Sequence, residues 1–148
     1  MRRILVAMDE TPVSQQAAAT ARALFGGVDT EYLAINVVRS VLPIGAPEFG
    51  YGAVYPLGLD DERVGMADEE VARRATEAGL DHAEVLAEVG DPVESVVRAA
   101  EEHSVDVIVV GTHHKGFLSR LFAGSVSEGV TRHAHCPVLV VPSPDHED

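Results

Sequence analysis

Twenty residues, VGTHHKGFLSRLFAGSVSEG from Val110 to Gly129, concentrate the groups able to do chemistry. No carboxylate occurs between Asp106 and Glu128, whereas His113, His114, Lys115 and Arg120 all do, and Lys115 is the only lysine in the chain. With 24 acids against 11 bases and a formal charge of −13, such a gap is a local positive island. Gly111 closes an apolar run, Gly116 permits backbone turns closed to other residues, and Gly124-Ser125 leads into a helix whose first amides lack intrahelical partners. Free amides, a hydroxyl and the positive end of a helix dipole suit an anion, above all phosphate. The competing reading is a capping box, in which Ser125 and Glu128 satisfy the same amides without a ligand. A Walker A loop is excluded, because Lys115 precedes a glycine and no serine or threonine follows it.

Other residues carry weaker signals. Asp9 follows the first apolar run, where a carboxylate is a hard oxygen ligand for magnesium or manganese beside phosphates, or simply a helix-entry acid favoured by the dipole. His133, His135 and Cys136 form H-x-H-C, zinc-binding types at a spacing that fits no standard zinc pattern. Cys136 precedes Pro137 and has no activating arrangement beyond His135, which argues against a nucleophile.

The elements that position these residues alternate between short apolar runs and longer amphipathic ones, the pattern of a parallel α/β sheet. Strands are expected at 3–8, 32–38, 82–89, 106–111 and 136–142, the third with one wet face at an edge. Helices are expected at 11–27 (Thr11 as N-cap, Pro12 first), 60–79, 90–103 (Asp91 as N-cap, Pro92 first, Glu94 at N3) and from about Ser125. The second helix carries Val64, Ala67, Val71, Ala75 and Ala78 as one stripe. Residues 39–58, with four glycines, three prolines and three aromatics, read as a loop, and 143–148 as a polar tail. The expectation is a single domain over 1–148, a βαβαβαβαβ doubly wound sheet of three α/β/α layers, binding ligands at the carboxyl ends of its strands.

Composition bounds the function. The negative charge argues against nucleic acid or an anionic membrane as main partner. No signal peptide and no apolar run of about 20 residues is present, and the single cysteine suits a reducing compartment, so a cytoplasmic protein is expected.

Three stretches, ILVAMDETPVS, GDPVESVVRAAEEHSVDVIVVGT and GSVSEGVTRHAHCPVLVV, resemble the universal stress protein family over nearly the whole chain. The resemblance implies a five-stranded parallel sheet of order 3-2-1-4-5, Rossmann-like and similar to the adenine nucleotide alpha hydrolases. It further implies a homodimer, binding of ATP or AMP, and a role in stress response. The family's nucleotide-binding branch carries a glycine, a second glycine three residues on, then nine residues and a glycine followed by serine or threonine. Gly111 matches the first, Gly124 the third and Ser125 the hydroxyl, while His114 stands at the second, where a Cβ forces the backbone away from phosphates. Gly116, two residues later, partly compensates.

By the same resemblance the nucleotide-binding set is Asp9, Thr11, Val37, Gly90, Gly111, Thr112, His114, Lys115, Gly116, Gly124, Ser125 and Val126. Within it Asp9 lies near the ribose and a magnesium or manganese ion, and the Val37 backbone meets the adenine edge. Glu10, where the family often has glycine, mildly disfavours a triphosphate. In the family's sheet order, Val138, Leu139, Val140 and Val141 form an apolar edge strand on which two copies could pair. Three functions remain open: a regulatory nucleotide-binding dimer, an interaction module that binds no nucleotide because of His114, and a slow ATPase. No general base is evident for a water near a γ-phosphate, which favours binding over turnover.

Overall fold

The computed structural model describes residues 1–9, 11–27, 29–38, 61–112 and 125–143. The expected 39–58 loop and the positive island from His113 to Gly124 lie outside them, as do Glu10 and the tail beyond Ser143.

Among the described residues nine elements alternate as expected: β1 (Arg2–Ala7), α1 (Pro12–Phe25), β2 (Thr30–Val38), α2 (Asp61–Glu77), β3 (Glu84–Val89), α3 (Pro92–Glu102), β4 (Val107–Thr112), α4 (Ser125–His133) and β5 (Val138–Pro142). All pairings are parallel and the order is β3-β2-β1-β4-β5. The two inner helix starts follow their sequence signals. Thr11 caps α1 with Pro12 behind it, and the Asp91 carboxylate accepts from the Glu94 N–H at 2.9 Å ahead of Pro92.

Boundaries shift for local reasons. β2 begins two residues early because Thr30 and Glu31 pair with Arg2 and Arg3. β3 begins at Glu84, not residue 82, because His82 has a φ of 65°. β5 begins at Val138, after Pro137 has entered the ladder only as an acceptor, from the Ile108 N–H at 3.0 Å.

Alternation along the strands sends residues to two cores. On one face Ile4, Val6, Met8 and Val109 pack with Ala17, Ala18 and Ala21 of α1 and Val71 and Ala75 of α2. On the other, Leu5, Leu33, Ile35, Ile108 and Val110 pack with Val96, Ala99 and Ala100 of α3 and Val130 of α4. Each large side chain so buried contributes about 1.5–3 kcal/mol. The helices are thus two and two about the sheet, the three-layer arrangement expected. Among the described residues no helix is long and apolar enough to cross a membrane.

Candidate functional site

The central strand stops short of its neighbours. β1 pairs with β2 as far as Ala7 with Ile35, and the Met8 N–H donates to the Ile35 carbonyl at 2.8 Å. β2 continues to Val38, paired with β3. On the other side β1 pairs with β4 as far as Val6 with Val109, and β4 continues to Thr112, paired with β5. Both flanking strands therefore outrun the last β1 pair by three residues. The ladder of β1 thus ends before those of its neighbours, which leaves a notch between β2 and β4 at the carboxyl edge, entered by Met8 and Asp9 on the way to α1. The chain enters β4 beside β1 after running outward through β2 and β3, so the notch lies at the topological switch point, where open α/β sheets bind ligands.

Val37 forms one wall. The Ile35 carbonyl faces β1, and Val37, two residues on, turns its backbone the same way. No further rung to β1 follows among the described residues, so the Val37 amide groups face the notch. Its side chain packs against the α3/α4 core. Gly90 lies beyond the end of β3, with its N–H on the Val38 carbonyl at 3.0 Å and a φ of 143°, a conformation that favours glycine.

Asp9 forms the floor. Its Oδ1 accepts from the Thr11 N–H at 2.7 Å and from the Thr11 hydroxyl. Oδ2 has no partner among the described residues. Ser14, only 5% exposed, locks the turn: its Oγ accepts from the Asp9 N–H at 3.1 Å and lies 2.9 Å from the Asp9 carbonyl and 3.1 Å from that of Thr11, to either of which it can donate. Sequence reasoning passed over Ser14, although a serine at the third position of a proline-opened helix directly after a strand was the available signal.

The opposite wall is β4. Gly111 turns its missing side chain toward α1, where an added Cβ would collide with Val13 Cγ1 and stand 2.9 Å from the Val13 carbonyl oxygen. Close packing of α1 on β4 therefore requires glycine there, independently of any ligand. Thr112 is buried on the other face with Val110. In α4, Val126 packs into the α3/α4 core and its N–H is among the first amides of the helix, which lack intrahelical acceptors. Glu128 engages Arg132 at 2.9 Å, one turn on.

The structure thus places Asp9, Thr11, Val37, Gly111 and Thr112 at the carboxyl ends of β1, β2 and β4, with Gly90 just beyond that of β3. His114, Lys115, Gly116 and Gly124 lie outside the described residues, as does the Ser125 side chain. Asp9 fits a divalent ion shared with phosphates, since magnesium is commonly held by one or two carboxylates plus substrate oxygens. No group of three His, Cys, Asp or Glu side chains able to hold a metal occurs among the described residues. His135 Nε2 instead lies 2.9 Å from Glu101 Oε1, and burial pushes the Cys136 thiol above its ordinary range.

Comparison with known proteins gives the family. The profile described as the universal stress protein family matches residues 1–142. A universal stress protein of Methanocaldococcus jannaschii is 37% identical over 147 residues, covering 99% of this chain and 85% of that protein. The solved structure of a hypothetical protein, whose biochemical function was assigned from that structure, superposes with a TM-score of 0.74 at 26% identity, covering 97% of each chain. A universal stress family protein of Arabidopsis thaliana, solved with AMP bound, has a TM-score of 0.62 at 20% identity, covering 99% of this chain and 95% of its own.

Proposed function

The chain belongs to the universal stress protein family, and from that premise we propose that it is a regulatory homodimer that binds ATP or AMP in the notch above β1. The observation that carries this reading is the early end of β1. It leaves the Val37 backbone groups without a β1 partner along one side of the notch, with Asp9 at its floor. The AMP bound by the Arabidopsis thaliana protein of the same fold supports it. In this reading Val37 meets the adenine edge and Asp9 the ribose or a magnesium or manganese ion. The phosphates lie toward Gly111, Thr112, Gly124, Ser125 and Val126, with Lys115 offsetting their charge. The protein binds and reports nucleotide; hydrolysis, if present, is slow.

The dimer forms through β5, an edge strand that among the described residues pairs only with β4. Val140 is 39% exposed there, and Leu139 is partly buried beside it. An apolar edge is satisfied when a second copy covers it. Light scattering is expected to give a dimer, and Val140→Lys to shift it toward monomer.

Titration calorimetry tests the nucleotide. AMP is expected to bind with or without magnesium, ATP to gain affinity with magnesium, and Asp9→Asn to remove that gain while retaining AMP. Absence of heat with both nucleotides at millimolar concentration refutes the reading. The alternative, an interaction module, rests on His114 in place of the second motif glycine. It predicts that His114→Gly gains an ATP affinity the parent lacks.

A further inference from the structure

Two valines sit in matching places. Val13 follows Thr11-Pro12 at the start of α1, and Val93 follows Asp91-Pro92 at the start of α3. Each lies over a glycine: Val13 over Gly111, which precedes the connection from β4 to α4, and Val93 over Gly129, which follows it. Gly129 lies outside the family's glycine motif, and nothing in the nucleotide reading assigns it or Val93 a role.

Glycine inside a helix costs about 1 kcal/mol relative to alanine, so its presence in the nine-residue α4 calls for a physical reason. A Cβ at Gly129 would stand 2.7 Å from Val93 Cγ2, 3.1 Å from Cγ1 and 3.5 Å from Cβ. The first of these distances is one that packed carbon atoms do not adopt. Val93 cannot swing aside, because a β-branched residue in a helix has one strongly preferred rotamer. Nor can its backbone move freely, since the Asp91 cap and Pro92 fix the first turn of α3. A side chain at position 129 therefore moves α4 itself, by up to about 1 Å if the closest contact is to reach the ordinary carbon separation of 3.5–4 Å.

We propose that Val93 and Gly129 are a positioning pair that sets where α4 begins, and so the phosphate end of the site. The inference rests on reading the notch as an ATP or AMP site. The first amides of α4 lie within one turn of Gly129, and hydrogen bonds of 2.7–3.2 Å weaken steeply when displaced by that amount. The adenine end, built on β2 and Asp9, does not depend on this contact.

The test compares Gly129→Ala, Val93→Ala and the double variant, measuring affinity for AMP and, by competition, adenosine, alongside urea unfolding. Gly129→Ala is expected to weaken AMP by about tenfold to a hundredfold, the scale of one hydrogen bond to a charged group, while adenosine changes less than twofold. Val93→Ala removes both Cγ atoms and leaves only the 3.5 Å contact, so the double variant is expected to recover AMP affinity. Gly111→Ala supplies the contrast: a backbone oxygen stands 2.9 Å from its Cβ, and Val13→Ala is not expected to rescue it. AMP affinity unchanged in Gly129→Ala, parallel loss of AMP and adenosine, or no recovery in the double variant overturns the proposal. A parent that binds neither ligand refutes the nucleotide reading, and this inference with it.

Discussion

Ser14→Ala isolates the lock on the turn between β1 and α1. The substitution removes an acceptor for the Asp9 N–H at 3.1 Å and a donor shared between the carbonyls of Asp9, at 2.9 Å, and Thr11, at 3.1 Å. Because one hydroxyl proton serves only one carbonyl at a time, two hydrogen bonds are lost. Their net worth is about 0.5–1.5 kcal/mol each, and the Asp9 N–H is left in a partly buried place without a partner. Alanine returns at most about 0.5 kcal/mol through better helix propensity. The expected net loss is about 1–2.5 kcal/mol, or about 2–10 °C in Tm for a domain of this size. Urea unfolding at fixed protein concentration is the assay, since association would make stability concentration-dependent. The midpoint should fall with the slope unchanged, and amide exchange should quicken at Asp9 while Ile4 to Val6 stay protected. An unchanged midpoint together with undiminished protection at Asp9 refutes the lock.

Three further outcomes follow from particular residues. Hydrogen bonds from Arg73 and Arg74 hold the Glu70 carboxyl at about 2, below its ordinary 4.5. A depressed carboxylate pKa stabilises the fold fully above the ordinary value and progressively less as pH falls toward about 2. Glu70→Gln should therefore lose less of its urea midpoint between pH 6 and pH 3 than the parent, and equal losses would contradict this. Burial, ahead of other causes, raises the Cys136 thiol above 9.0. Alkylation by iodoacetamide at pH 8 should run slower than for a free cysteine and keep accelerating beyond pH 9, whereas a plateau near pH 8 would refute it. Gly90→Ala meets no atom closer than Ser95 Oγ at 3.9 Å, so its cost is backbone strain at φ 143°, about 1–3 kcal/mol by urea unfolding. A loss below about 0.5 kcal/mol would show the turn to be freely adjustable.

The elements were legible wherever a local signal sufficed. α3 is announced by Asp91, Pro92 and Glu94 and by an inward stripe that includes Val96 and Ala100, all acting within a few residues of one another. Sheet order is a different kind of information. β1 and β4 are both continuous apolar runs, and nothing in either says which strand it touches; the order followed from the family resemblance. The notch was illegible for the same reason, since it is a difference between pairing lengths. Gly111 carried two meanings, and the structure supplies the one that sequence could not: contact with Val13, nearly a hundred residues away in the chain. Gly129 gave no signal at all, because a close approach between α3 and α4 leaves no pattern within α4 itself.

If the notch holds a nucleotide as proposed, Asp9 sets its electrostatic character. A carboxylate beside bound phosphates costs Coulomb energy, at about 4 kcal/mol for unit charges 4 Å apart near a protein surface. Two features offset that charge: Oδ1 is occupied by two donors from Thr11, and α1 begins just beyond it with the positive end of its dipole. With Oδ1 engaged by Thr11, Oδ2 is the oxygen left to act as a hard ligand. On the proposed nucleotide-binding reading, AMP, with one phosphate, can keep its charge on the α4 side of the notch, whereas ATP brings more charge than one helix end offsets. A divalent ion shared by Oδ2 and the phosphates reverses the sign of that contact. On that reading, the same carboxylate is therefore expected to discriminate between the two nucleotides according to magnesium. That expected selectivity follows from the position of Asp9 at the end of the shortened strand.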